Sequence, residues 1–173
     1  IGPILTALRD DSKESVLLAQ GVGNQVLILD IVESRQAIRY SSEVGQFRTL
    51  HATGVGKAIL SAMSREERQE VYKTTYPNGR AKERLSPAMI DTVEALETEL
   101  AASRERGWYV SRGESISDLC AYAASFQIGG QIFAIAIAGP LERMTVRESE
   151  HIGLLSRACR GIEERLNGGD SAL

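Results

Sequence analysis

Residues 50–63, L-H-A-T-G-V-G-K-A-I-L-S-A-M, constrain the fold more than any other stretch of the chain. The stretch opens like a loop and closes like a helix. Thr53 suits an N-cap, because its hydroxyl can accept from a free N–H of the first turn. Val55, Ile59 and Ala62 then recur at helical spacing. Gly54 and Gly56 fall in that first turn, where a missing Cβ lets another group come close to the backbone. Two readings stand. In one, the N–H groups of Gly54, Val55 and Gly56, at the positive end of the helix dipole, receive a carboxylate or other anion. In the other, the glycines only allow tight packing of helix on sheet.

The chain before this helix reads as strands. Residues 1–9 carry Ile4, Leu5 and Leu8, the pattern of a short helix arriving from upstream, and 10–12 break it. Residues 15–21 and 25–32 are rich in Val, Leu and Ile, with Gly21-Val22-Gly23-Asn24 as hairpin chemistry between them. Both faces of 25–32 are apolar, which predicts a central, covered strand. A shorter strand is expected over 36–40, then a polar link with Gly45.

After the helix, Ser64-Arg65-Glu66-Glu67 fits a capping box, and 76–80 is a turn cluster. Ser86-Pro87 reads as an N-cap with proline at the first helical position. Ile90, Val93, Leu96 and Leu100 follow, up to a C-terminal glycine at Gly107. Strands are expected at 108–111, 119–128 and 131–138. Thr145 to Glu148 reads as a second capping box, opening a helix with a seam of Ile152, Leu155, Cys159, Ile162 and Leu166. Strands that cluster and join by hairpins predict an α/β (α+β) fold: a mainly antiparallel six-stranded sheet flanked by helices.

A length of 173 residues suits one domain with a sizeable core. The net charge of −3 argues against this segment gripping nucleic acid by itself. No apolar run is long enough to span a membrane. Two cysteines are too few for a disulfide framework, and thiols in a cytoplasmic protein are the default. The glycines of 54–56 make neither a Walker A nor a dinucleotide fingerprint. His51, His151, Cys120 and Cys159 lack paired metal-ligand spacing, so no metal or other cofactor is expected. A Cys120–His51 nucleophile pair, as in a small-molecule hydrolase, is the enzymatic alternative. Against it, cysteine is often a small buried strand residue. Glu114 reads either as a solvated loop carboxylate or as a polar anchor at a pocket mouth.

H-A-T-G-V-G-K-A-I-L-S resembles the most recognisable motif of the effector-binding domain of IclR-family transcriptional regulators. V-E-S at 32–34, V-G at 44–45, R-G-W-Y-V-S-R-G-E at 106–114 and A-I-A-I-A-G-P at 134–140 agree in order and spacing. The resemblance implies a GAF-like domain whose pocket lies between the sheet and 50–63. It implies residues 1–12 as the end of a linker helix, 13–168 as the effector-binding domain and 169–173 as a frayed end. A winged helix-turn-helix would precede Ile1 and carry the DNA binding. Self-association to a dimer or tetramer is implied too. A purely structural oligomerisation module is the other alternative.

Carried onto this chain, the pocket positions are Gly54 and Val55 from the turn, and Ala37 and Tyr40 from the early strand. The late strands contribute Ser111, Leu119, Ala121, Ala136 and Ala138. Gly56 joins them through its N–H and Glu114 through its carboxylate. Ala136 and Ala138 stand where relatives that sense small organic acids often have serines, and Ala121 where cysteine or serine is common. A floor of alanines and Leu119 is roomy and cannot satisfy many ligand oxygens. The expected ligand is an organic acid with an apolar or aromatic body.

Overall fold

A computed structural model describes residues 1–168. The expected frayed end, 169–173, lies outside the described residues. Helix α1 (Gly2–Ser12) leads into the hairpin of β1 (Ser15–Val22) and β2 (Gln25–Val32), and a long link reaches β3 (Phe47–Thr49). Helices α2 (Gly54–Ala62), α3 (Arg65–Thr75) and α4 (Val93–Arg106) follow. The chain closes with β4 (Tyr109–Arg112), β5 (Leu119–Ile128), β6 (Gln131–Pro140), α5 (Leu141–Val146) and α6 (Glu148–Gly168). The six strands form one sheet in the order β3-β2-β1-β6-β5-β4, and every pairing is antiparallel.

Each face of the sheet has its own core. On one face α2 lies against Ala19, Ala121, Ala123, Ala134 and Ala136, with Leu17, Ile28, Leu96 and Leu100 around it. On the other, Val16, Tyr122, Phe126, Ile135 and Ile137 pack with Leu5 and Leu8 of α1 and Leu155 and Ile162 of α6. The expected C-terminal seam therefore does meet the sheet.

The local signals hold at several helix ends. Thr53 caps α2 by accepting from Gly56 N–H at 3.1 Å. Ser64 and Glu67 form a complete capping box on α3. Gly107 ends α4 with φ +83°, a left-handed angle that costs glycine nothing.

Four expectations need correction. No strand forms over 36–40. There the carbonyl of Ile38 accepts from Arg143 and that of Tyr40 from Ser15 Oγ, so side chains take the place of a ladder. The ladder partner of β2 is β3 instead, at 47–49. Strand β2 is paired on both sides yet half-exposed over much of its length. An irregularity opposite Leu18/Ala19 turns Ile31 to the same core as Ile28. Ser86 does not start α4. Its hydroxyl donates to Gly113 O at 2.6 Å, and Thr92 caps the helix six residues later. Thr145 lies inside α5 and donates to Leu141 O, so it caps nothing at α6.

Candidate functional site

The alternation of β6 makes a hollow. Ala136 and Ala138 point to the α2 face, and Ile135 and Ile137 to the other. Ala121 on β5 stands beside Ala138 in the ladder. These small side chains leave a cavity of about 340 Å³ between the sheet and the N-terminus of α2. That size is at the lower end of the range for small-molecule pockets. Its floor adds Leu17 of β1, Ile28 of β2 and Leu119 of β5. Tyr40 closes one side, its carbonyl held at 2.6 Å by Ser15 Oγ. Phe47, Leu85 and Ile116 come from three separate segments to the mouth, where all three remain partly exposed.

Gly54 and Val55 bring the first turn of α2 to the cavity wall. Their N–H groups have no intrahelical acceptor, whereas Gly56 N–H is occupied by Thr53 Oγ1. The glycines also serve packing. A Cβ on Gly54 would lie 3.0 Å from Ala121 O, and one on Gly56 would lie 2.6 Å from both Thr49 O and Leu50 Cα. Gly56 is a close-approach residue, and the steric reading of the glycines applies to it. Ser111 reaches the cavity, with its hydroxyl donating to Ala52 O at 2.9 Å.

Eight of the eleven expected positions therefore meet at one cavity: Tyr40, Gly54, Val55, Ser111, Leu119, Ala121, Ala136 and Ala138. The other three do not line it. Ala37 is exposed on the 33–46 link, because the strand expected to turn it inward does not form. Gly56 is packed behind the turn. Glu114 is buried under the cavity wall, where Lys57 Nζ of α2 donates to its Oε1 at 2.5 Å and to Val110 O at 3.0 Å. Burial raises the Glu114 pKa while Lys57 opposes the shift. The pair ties α2 to the 113–118 link, whose Ser115 and Ile116 face the cavity.

Sequence reasoning missed Lys57, although it is the one Lys, Arg, Asp or Glu between residues 50 and 63, which was a legible signal. It also missed Arg48, for which no sequence signal existed. Arg48 is the one charged side chain lining the cavity among the described residues, and no carboxylate lines it.

The enzymatic alternative fails on geometry. Cys120 packs into the core with α6, while His51 stacks edge-on against Tyr76 in the core with α2, so the sheet separates them. Burial also pushes the Cys120 thiol up to about 11, away from thiolate chemistry. His51 is held down to about 4 by burial and by Lys57. Among the described residues no cluster of His, Cys, Asp and Glu could hold a metal ion, and no helix is long and apolar enough to cross a membrane.

Comparison with known proteins agrees with this geometry. Residues 1–164 match the family described as bacterial transcriptional regulator IclR C-terminal. The HTH-type transcriptional repressor AllR of Klebsiella pneumoniae is 30% identical over 146 residues, covering 83% of this chain and 52% of that protein. AllR of Escherichia coli is 28% identical over the same coverage. The chain thus spans about half the length of the curated relatives it matches. Among solved structures, a putative IclR regulator from a Silicibacter species superposes with a TM-score of 0.86 at 23% identity, over 95% of this chain and 64% of that one. The Thermotoga maritima IclR gives 0.83 at 23% identity, over 95% and 66%. An IclR homologue from Microbacterium hydrocarbonoxydans, crystallised in complex with 4-hydroxybenzoate, gives 0.83 at 23% identity, over 96% and 66%. At these identities the superpositions are likenesses of fold.

Proposed function

The chain belongs to the IclR family of bacterial transcriptional regulators, matching its C-terminal domain, and from that premise we propose that its cavity senses a small organic acid with an apolar or aromatic body. One observation carries the reading: an apolar floor meets positive potential, with Arg48 and the α2 N-terminus on the wall and, among the described residues, no carboxylate opposing them. The helix terminus favours a carboxylate at the N–H groups of Gly54 and Val55. The body then lies over Leu119, Ala121, Ala136 and Ala138. A bound 4-hydroxybenzoate in the Microbacterium homologue is an acid of this kind.

The same reading takes 13–168 as the effector domain and the α1 region as the end of a linker. Ligand binding would bias a winged helix-turn-helix domain on the N-terminal side, which alone would contact DNA, in a cytoplasmic dimer or tetramer. The family consists of regulators rather than enzymes, which favours this over turnover at the cavity.

Calorimetric titration with benzoate and with its neutral amide tests the proposal. Stronger binding of the acid by about tenfold is expected, as for one charge-assisted contact. Equal binding of the amide would remove the anion half of the proposal.

A further inference from the structure

We propose that Arg48 is a second anion-binding group of this cavity and that the ligand class is a dicarboxylic acid with an apolar spacer. This rests on the proposed function and names the ligand of the same site.

The half-buried Arg48 stands on the edge strand β3, across from Val26 of β2. Its Nη2 donates to Gln46 Oε1 at 2.5 Å and to Ser42 Oγ at 3.2 Å, both neutral acceptors. Other partly buried arginines of this chain reach a carboxylate: Arg68 meets Glu97, Arg143 meets Glu14, and Arg147 meets Glu150. Arg48 has no such partner among the described residues. A guanidinium drawn partly out of water without a counter-ion is an electrostatic cost that a ligand anion relieves.

The second positive feature of the wall is the start of α2, which meets β3 at Thr49, where Thr53 Oγ1 donates to Thr49 O at 2.8 Å, whereas the Arg48 guanidinium is held at Ser42 and Gln46. Gly54 backs onto Ala121 of β5, while Arg48 lies on β3 at the far edge of the sheet. Strands β2, β1 and β6 come between them in the sheet order. They present Ile28, Leu17, Ala136 and Ala138 to the cavity. A ligand with one carboxylate can neutralise one pole and leaves the other bare. A diacid whose spacer rests on the apolar floor satisfies both.

The test uses two diacids of different length, terephthalate and suberate, each with its monomethyl ester, and benzoate as the monoacid reference. Each is titrated calorimetrically into the wild-type chain and into Arg48→Gln and Arg48→Lys. At least one diacid should bind the wild type about tenfold tighter than its half-ester. Arg48→Gln should abolish that preference, bringing the diacid down to the affinity of its half-ester, and Arg48→Lys, which keeps the charge without the fork, should retain part of it. Matching thermal midpoints for the variants separate a lost contact from a lost fold. Half-esters that bind as well as their diacids in both series, or a preference that survives Arg48→Gln, would overturn the inference while benzoate binding keeps the proposed function. If no acid binds at all, the proposed function fails and this inference falls with it.

Discussion

On β6, Ala134, Ala136 and Ala138 face one way, and Phe133, Ile135 and Ile137 face the other. The Ile face is filled by α1 and α6 into a solid core. The Ala face meets α2, and the small side chains leave the cavity there. The two faces share strands, register and hydrogen bonds, and differ in side-chain volume and in the helices that cover them. Where volume is scarce a sheet can bind something; where it is abundant the sheet is only held. The cavity side also buries charge, the Lys57–Glu114 pair that ties α2 to the 113–118 link.

The largest expected effect breaks that pair. Lys57→Met leaves Glu114 buried without its cation and should cost about 3–5 kcal/mol in urea unfolding, whereas Lys57→Met combined with Glu114→Leu should recover much of it. A single-variant cost below about 1 kcal/mol would show that the cavity face does not depend on the pair. Next comes the solid face. Ile137→Ala should cost about 3 kcal/mol, since a fully buried side chain leaves a void that its neighbours only partly fill.

A smaller effect follows from buried histidine. His51 is kept down to about 4, first by burial and then by Lys57, and His151 is also lowered, first by burial and then by Arg147. The unfolded chain takes up these protons near pH 6.5 while the folded chain does not. Stability is therefore full above pH 6.5 and falls as the pH drops towards 4. His51 alone should cost roughly 2 kcal/mol between pH 7 and pH 5. Glu114 acts with the opposite sign, because its raised carboxyl pKa favours the folded state at low pH. The urea midpoint at the two pH values, for wild type and His51→Gln, measures the histidine share. An unchanged pH slope in the variant would count against a neutral, buried His51.

The smallest stability effect sharpens the contrast most. Ala136→Leu, one residue from Ile137 and on the other face, should cost less than about 1.5 kcal/mol because the cavity accepts the added volume. It should nevertheless abolish binding of aromatic acids in calorimetry. Retained binding would mean that the ligand does not use the alanine floor.

Much of this was legible in the sequence. Alternation on β5 and β6, the Thr53 and Ser64 caps and Gly107 are signals confined to a few neighbouring residues, and local physics decides them. Eight of the cavity positions followed from the family resemblance carried onto this chain. The misses are of another kind. Residues 36–40 have strand composition, but Ser15 and Arg143 claim the carbonyls of Tyr40 and Ile38 from distant parts of the chain. Ser86 has the chemistry of an N-cap and gives its hydroxyl to Gly113 instead.

By itself the sequence determined the order of elements, the antiparallel class and which strand face is small, because each depends on backbone propensity and a period of two. Only the tertiary structure decided that Glu114 serves Lys57 rather than the cavity, and that Arg48 lines the cavity with no carboxylate beside it among the described residues. A charge finds its partner through space, and the residues that meet Lys57 and Arg48 there are set by how the strands and links fold over one another.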